Sequence, residues 1–202
     1  MKIEVTSQQY QRYVERIEFY KEHGYDIESQ RKFIFESAFP FYEPILEIGT
    51  GKGYMTLELA QQGYSLISID ISRAEQDFAQ RLIRSLPLRG KVDFRIYNAE
   101  SMPFPDATFK TIFCVNSIHH FDSPGKVLTE ALRVLRREGK CILSDFTKKG
   151  MQLIHDIHQM KGKSHSSHYS SLSQLQEYCP PRDYMTKMYS NDIQEVFVIE
   201  SR

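Results

Sequence analysis

Residues Glu47-Ile48-Gly49-Thr50-Gly51-Lys52-Gly53 follow the apolar pair Ile45-Leu46 and run directly into Tyr54-Met55-Thr56-Leu57-Glu58-Leu59-Ala60. An apolar run, a glycine cluster and a helix-spaced segment in succession predict a strand, a sharp turn and a helix. Glycines at alternate positions let the backbone take conformations that a side chain forbids, and let a ligand lie almost against the main chain. A nucleotide-like cofactor is the expected occupant.

One rival is a dinucleotide site, whose G-x-G-x-x-G pattern uses its third glycine for close helix packing beside a pyrophosphate. Here the spacing is G-x-G-x-G, and the position of that third glycine is Tyr54, which would crowd the helix. Glu47 at the strand end suits a cationic ligand better than a pyrophosphate. S-adenosylmethionine (SAM), with an ammonium and a sulfonium, fits these features.

Later segments follow in a consistent order. Ser65-Leu66-Ile67-Ser68-Ile69-Asp70 is a strand ending in an acid, and Tyr97-Asn98-Ala99-Glu100-Ser101-Met102-Pro103-Phe104 follows a third strand. Phe109-Lys110-Thr111-Ile112 leads to Ile118-His119-His120-Phe121, and Leu135-Arg136-Arg137-Glu138-Gly139-Lys140 precedes a fifth strand. Over residues 41 to 146 the chain resembles the class I SAM-dependent methyltransferases of small molecules, with motif I of the form E/D-x-G-x-G-x-G, "D-A-x-x-L-P-F" and "L-K-P-G-G". Asn98 stands in place of an acid that commonly lies by the adenine amino group, though an amide oxygen also accepts from that amine. Lys110 replaces the usual Asp of "F-D-x-V", and Arg137-Glu138 replaces a Pro-Gly turn; both read as details of the fold.

The resemblance implies the cofactor contacts. Glu47 is placed near the methionine ammonium, and the loop of Gly49, Thr50, Gly51 and Gly53 along the methionine and ribose. Asp70 is placed at the ribose hydroxyls, and Ile71, Ala99 and Glu100, with Asn98, around the adenine. Asn116 is a candidate for cofactor or acceptor contact. Without motif I, Asp70 would read as a helix N-cap. His119 and His120, just past the fourth strand, are candidate general bases because histidine titrates near neutral pH, or one of them packs beneath a lid.

Length and composition agree with one domain, since 202 residues with 41% hydrophobic content bury one sizeable core. Lys plus Arg equals Asp plus Glu at 26 each, so no net field draws the chain to nucleic acid or an anionic membrane. The cluster Arg81, Arg84, Arg89 and Lys91 reads as the solvated end of a helix. Three widely spaced cysteines make no disulfide framework, and the sequence holds neither a charged leader with an apolar stretch behind it nor a run of about 18 apolar residues. A reducing cytoplasm is the expected setting.

Strands at 45–49, 65–70, 93–98, 111–116 and 140–146 alternate with helices near 52–62, 72–86 and 124–136. Such alternation predicts a Rossmann-like, doubly wound α/β sheet whose ligand sits outside the carboxyl ends of the strands. Runs at 184–189 and 195–200 around Asn191-Asp192 predict an edge hairpin, making seven strands, mostly parallel with an antiparallel final strand. Helical spacing over 6–22 and 27–39 marks residues 1–40 as an N-terminal helical lid ahead of the 41–202 domain, in which 147–180 is a variable segment.

Within that segment His155, His158, His165 and His168 form two H-x-x-H pairs. A zinc site would need both pairs, and a solvated polar segment, or one wall of an acceptor pocket, is the favoured reading; no metal is expected. The leading function is methyl transfer from SAM to a small-molecule acceptor, giving S-adenosylhomocysteine (SAH). Alternatives are a catalytically silent SAM-binding sensor or assembly subunit and, disfavoured by Tyr54 and Glu47, an NAD-dependent oxidoreductase. The acceptor atom, the acceptor and the oligomeric state are not specified by the sequence.

Overall fold

The computed structural model describes residues 8–162 and 171–202. Seven strands form one sheet in the order β3-β2-β1-β4-β5-β7-β6. They are β1 (Ile45–Ile48), β2 (Leu66–Asp70), β3 (Val92–Ile96), β4 (Phe109–Val115), β5 (Leu135–Phe146), β6 (Tyr184–Ser190) and β7 (Gln194–Ser201). β1 to β5 pair in parallel, while β7 runs antiparallel between β5 and β6. Only β7 reverses direction, because a hairpin from β6 must return beside β5. Asn191 closes that hairpin, its side chain accepting from the backbone N–H groups of Ile193 and Gln194.

Central strands buried on both faces explain continuous apolar runs such as Ile45-Leu46. On one face β1, β4 and β5 pack against α5 (Pro124–Val134) and a short 3-10 helix at Leu172–Tyr178. The opposite face carries α2 (Ile27–Ala38) and α3 (Tyr54–Gln61), with α4 (Arg73–Arg84) beyond. The amphipathic helices α1 (Gln8–Glu22) and α6 (Lys148–Met160) join α4 in a further cluster around Tyr13, Ile17, Leu82, Ile154 and Ile157. Arg81 and Arg84 are exposed in the last turn of α4, where cations suit the helix dipole.

Two features of the sheet have local causes, and only the second departs from the expected elements. No helix joins β3 to β4; Arg133 on α5 instead fastens the connection, donating to the carbonyls of Met102 and Phe104 and to Asp106. β5 begins at Leu135, earlier than expected, through a bulge in which pairing with β4 jumps from Phe109↔Leu135 to Thr111↔Lys140. Glu138 adopts φ 57 in that bulge, the left-handed region a Pro-Gly turn would fill without strain, and its carboxylate stands 4.0 Å from Lys110. The two departures from the family pattern therefore face one another. Among the described residues no helix is long and apolar enough to cross a membrane.

Candidate functional site

The carboxyl ends of β1, β2 and β4 open into two hollows. The first, about 250 Å³, is bordered by Glu47, the loop of Gly49 to Lys52, Asn116 and both histidines, with Tyr20, Tyr25 and Arg31 from the N-terminal segment. The second, about 280 Å³, is bordered by Asp70, Ile71, Asn98, Ala99 and Glu100. Gly49 and His120 line both. An elongated ligand bent across Gly49 would occupy the pair.

The loop between them needs its glycines for different reasons. Gly49 has φ +83, and a Cβ there would stand 2.2 Å from Ser117 Oγ, so only glycine lets β1 end against the β4 loop. Gly51 has φ +50, and its absent Cβ points at open space. Gly53 lines neither hollow: a Cβ on it would meet Ala79 Cβ at 2.8 Å, so it serves the packing of the loop on α4. Close helix packing, the task of the third glycine in a dinucleotide motif, falls here one residue before Tyr54.

Beneath the loop lies a buried polar network. Glu47, 2% exposed, accepts on one oxygen from Thr56 Oγ1 (2.5 Å) and Ser68 Oγ (2.6 Å). Ser68 Oγ is also 2.6 Å from Thr50 Oγ1, which accepts in turn from Gln76 Nε2. The Thr50 hydroxyl is thus turned into the fold, and only the rest of Thr50 borders the hollow. Burial pushes the Glu47 carboxyl up to about 7, against the opposing pull of its two hydroxyl donors.

Asp70 closes β2. Its Oδ2 accepts from the Gly51 N–H and its Oδ1 from the Ser72 N–H, both at 2.8 Å. Ser72, accepting from Glu75 N–H, caps α4, so Asp70 is not the N-cap. Ile71 is 72% exposed, an apolar side chain standing beside the second hollow. Asn98 Oδ1 accepts from Glu100 N–H at 2.9 Å, which turns the chain around that hollow.

Asn116, at φ 52, links four elements. Its N–H donates to Ser144 O, its Nδ2 to the Tyr25 hydroxyl at 3.2 Å, and its Oδ1 accepts from Gln194 Nε2. Tyr25 is buried, which raises its hydroxyl pKa well above the ordinary value. Its ring meets Phe146 edge-on at 5.7 Å, so the α1–α2 connection is seated on the strand ends.

The two histidines differ. His120 is exposed where the hollows meet, whereas His119 is 2% exposed and lines the first. His119 Nδ1 lies 2.6 Å from Asp145 Oδ1, and its backbone N–H donates to Asp145 Oδ2. A carboxylate on Nδ1 fixes the proton there and leaves Nε2 as the basic nitrogen. Asp145, on β5, was not among the residues singled out from the sequence.

Arg31 was also missed. On α2 and 6% exposed, it donates through Nη1 to the Tyr13 hydroxyl and to Tyr54 O, while its Nε has no hydrogen-bond partner among the described residues. Its Nη1 also lies 3.7 Å from Glu58 Oε2, so Nε is the donor that remains for a ligand carboxylate. Together with Asp70 and the open main chain at Gly51, these groups match the amino acid and ribose parts of SAM.

His158 lines the first hollow, its Nε2 2.7 Å from the Tyr20 hydroxyl, while His155 lies against Gln159. The pair does not converge, and among the described residues no three His, Cys, Asp or Glu side chains cluster as metal ligands. His165 and His168 lie outside the described residues.

Comparison with known proteins agrees with this geometry. Residues 46–143 match the family described as a methyltransferase domain. An uncharacterized methyltransferase, YcgJ of Bacillus subtilis (strain 168), is 32% identical over 101 residues, 50% of this chain and 40% of its own. The ubiquinone/menaquinone biosynthesis C-methyltransferase UbiE of Geobacter sulfurreducens is 26% identical over 117 residues, 56% of this chain and 46% of its own. Both matches span less than half of the relative's length. The crystal structure of YcgJ superposes with a TM-score of 0.64 at 25% identity, covering 81% of this chain and 71% of that one. PH0226 of Pyrococcus horikoshii OT3 shares the fold over 98% of this chain and 94% of its own, with a TM-score of 0.70 at 17% identity. By sequence motif and fold together, residues 46–143 carry a methyltransferase domain, and the chain is similar to the class I SAM-dependent methyltransferases.

Proposed function

We propose that this protein transfers a methyl group from SAM to a small-molecule acceptor, releasing SAH, with His119 taking the acceptor proton. The observation that carries the reading is the meeting of the two hollows at Gly49 and His120, beside the buried His119–Asp145 pair. SAM supplies a methyl group on a sulfonium, a good leaving group. The protein's task is then placement, which accounts for large rate factors when reacting atoms are held in line.

Each residue has a part in that placement. Arg31 holds a carboxylate, Glu47 provides negative charge beneath the loop, and Asp70 accepts from ribose hydroxyls. Ile71 and Ala99 pack on adenine, with Asn98 and Glu100 at its rim. Asp145 holds the His119 ring so that Nε2 receives a proton from an acceptor in the first hollow. Asn116 fixes Tyr25, and with it the 8–40 segment, over the cavity as a lid that excludes water. The balanced charge of the chain and the biosynthetic name of the UbiE relative both favour a small molecule over nucleic acid.

Titration calorimetry with SAM, SAH and NAD, followed by a transfer assay on metabolite extracts, tests the reading. Binding of SAM and SAH but not NAD, with transfer reduced at least about a hundredfold in His119→Ala, is expected for loss of a general base. SAM binding with no transfer to any extract fraction would leave a silent SAM sensor in its place.

A further inference from the structure

The wall of the first hollow away from the glycine loop restricts what the acceptor can be. Rings from separate segments line it: Tyr20 on α1, Tyr25 in the α1–α2 connection, His119 and His120 after β4, Phe146 at the end of β5 and His158 on α6. They contact one another at ring separations of 6.0 Å (Tyr20–Tyr25), 5.7 Å (Tyr25–Phe146) and 5.6 Å (His119–Phe146). Rings so arranged offer faces and edges to a flat π-system, which an aliphatic chain uses less well.

Charge narrows the choice further. Apart from the histidines, the charged side chains among the described lining residues are Arg31, Glu47, Lys52 and Glu75. All four belong to the glycine-loop side: Arg31 is bonded to Tyr54 O, Glu47 to Thr56 and Ser68, and Lys52 to Glu75 at 2.5 Å. Among the described lining residues the ring-lined end holds no carboxylate to meet an ammonium and only imidazoles to meet a carboxylate, so burying a charged acceptor there would be costly. A neutral group with a removable proton suits His119. The volume of about 250 Å³, shared with the amino acid end of the cofactor, limits the acceptor to one or two fused rings.

We infer that the methyl acceptor is a small, neutral, planar aromatic hydroxyl compound, seated among Tyr20, Tyr25 and Phe146 with its hydroxyl at His119. The inference rests on the methyl-transfer reading above and adds the acceptor class to it.

The test uses the full chain saturated with SAH, titrated with 2-naphthol and with its saturated counterpart decahydro-2-naphthol. The expected result is about tenfold tighter binding of 2-naphthol, the scale of one or two aromatic contacts. Tyr20→Leu and Phe146→Leu should each remove most of that preference while SAH affinity, which reports an intact fold, stays within about twofold. Equal affinity for the two probes, no binding of either, or a preference that survives in variants still binding SAH would overturn the inference alone. Failure of wild-type protein to bind SAH would overturn the methyl-transfer reading, and this one with it.

Discussion

Replacing Glu47 by Gln separates what the floor of the site does for binding from what it does to stability. Burial dominates at this carboxyl and raises its pKa from 4.5 to about 7, with the nearby Asp70 charge acting in the same sense and Ser68 and Thr56 opposing. The sign follows from proton counting. Between pH 4.5 and 7 the folded acid keeps a proton that the unfolded chain has released, so folding is progressively disfavoured as pH climbs through this window. At about 1.4 kcal/mol per tenfold change in acidity, the full loss above pH 7 is about 3 kcal/mol.

Glutamine keeps an acceptor oxygen for Thr56 and Ser68 and cannot ionise. At pH 8 the Glu47→Gln protein should therefore exceed wild type in stability by up to about 3 kcal/mol, with the gap closing toward pH 5. The same variant should bind SAM more weakly by about 1.5–3 kcal/mol, the range for a hydrogen bond involving a charged group. Urea unfolding of both proteins from pH 5 to 9, with calorimetry at pH 8, measures both effects. A pH-independent stability difference would refute the burial argument, and unchanged SAM affinity would refute the placement of Glu47 beneath the ligand's cation.

Asp70→Ala should weaken SAM binding by about 1.5–3 kcal/mol in calorimetry while the fold persists, because the proposed ribose contacts are lost together with the Gly51 anchor. Arg133→Ala should lower unfolding stability by roughly 1–3 kcal/mol, since it frees the carbonyls of Met102 and Phe104 together; a midpoint within error of wild type in urea would remove its clamping role. In the lid, amide exchange over Tyr10 to Tyr25 should slow when SAM or SAH is added, and identical exchange would make the segment a fixed appendage. Tyr25→Phe, which deletes one hydrogen bond to Asn116, should cost about 1 kcal/mol of stability and speed that exchange.

The sheet was legible because its signals are local and repeated. The central parallel strands are built around apolar runs, the edge strand β3 alternates apolar and charged residues, and the helices between them are amphipathic, so apart from the start of β5 the strand boundaries read from sequence fall within a few residues of those observed. What the sequence withheld depended on contacts between distant residues. The early start of β5 arises from pairing with Phe109, and the clamp on the β3–β4 connection is a single arginine almost 30 residues further on. The packing task of Gly53 was hidden for the same reason, because its neighbour Ala79 belongs to the next helix.

The His119–Asp145 pair marks the boundary between what spacing reveals and what it does not. Asp145 sits in the apolar run Cys141-Ile142-Leu143-Ser144-Asp145-Phe146, where an acid breaks the pattern without announcing a partner. Once β4 and β5 are paired in parallel with Val115 opposite Ser144, Asp145 falls just beyond the end of β4, beside the segment that carries His119. Both are then forced to the same strand ends, and burial leaves each needing the other: an isolated carboxylate there would be costly, and the imidazole with its backbone N–H supplies two donors. An acid near the carboxyl end of a buried parallel strand, next to a strand followed by histidine, is therefore a sequence signal, but one that is read only after strand order and register are known.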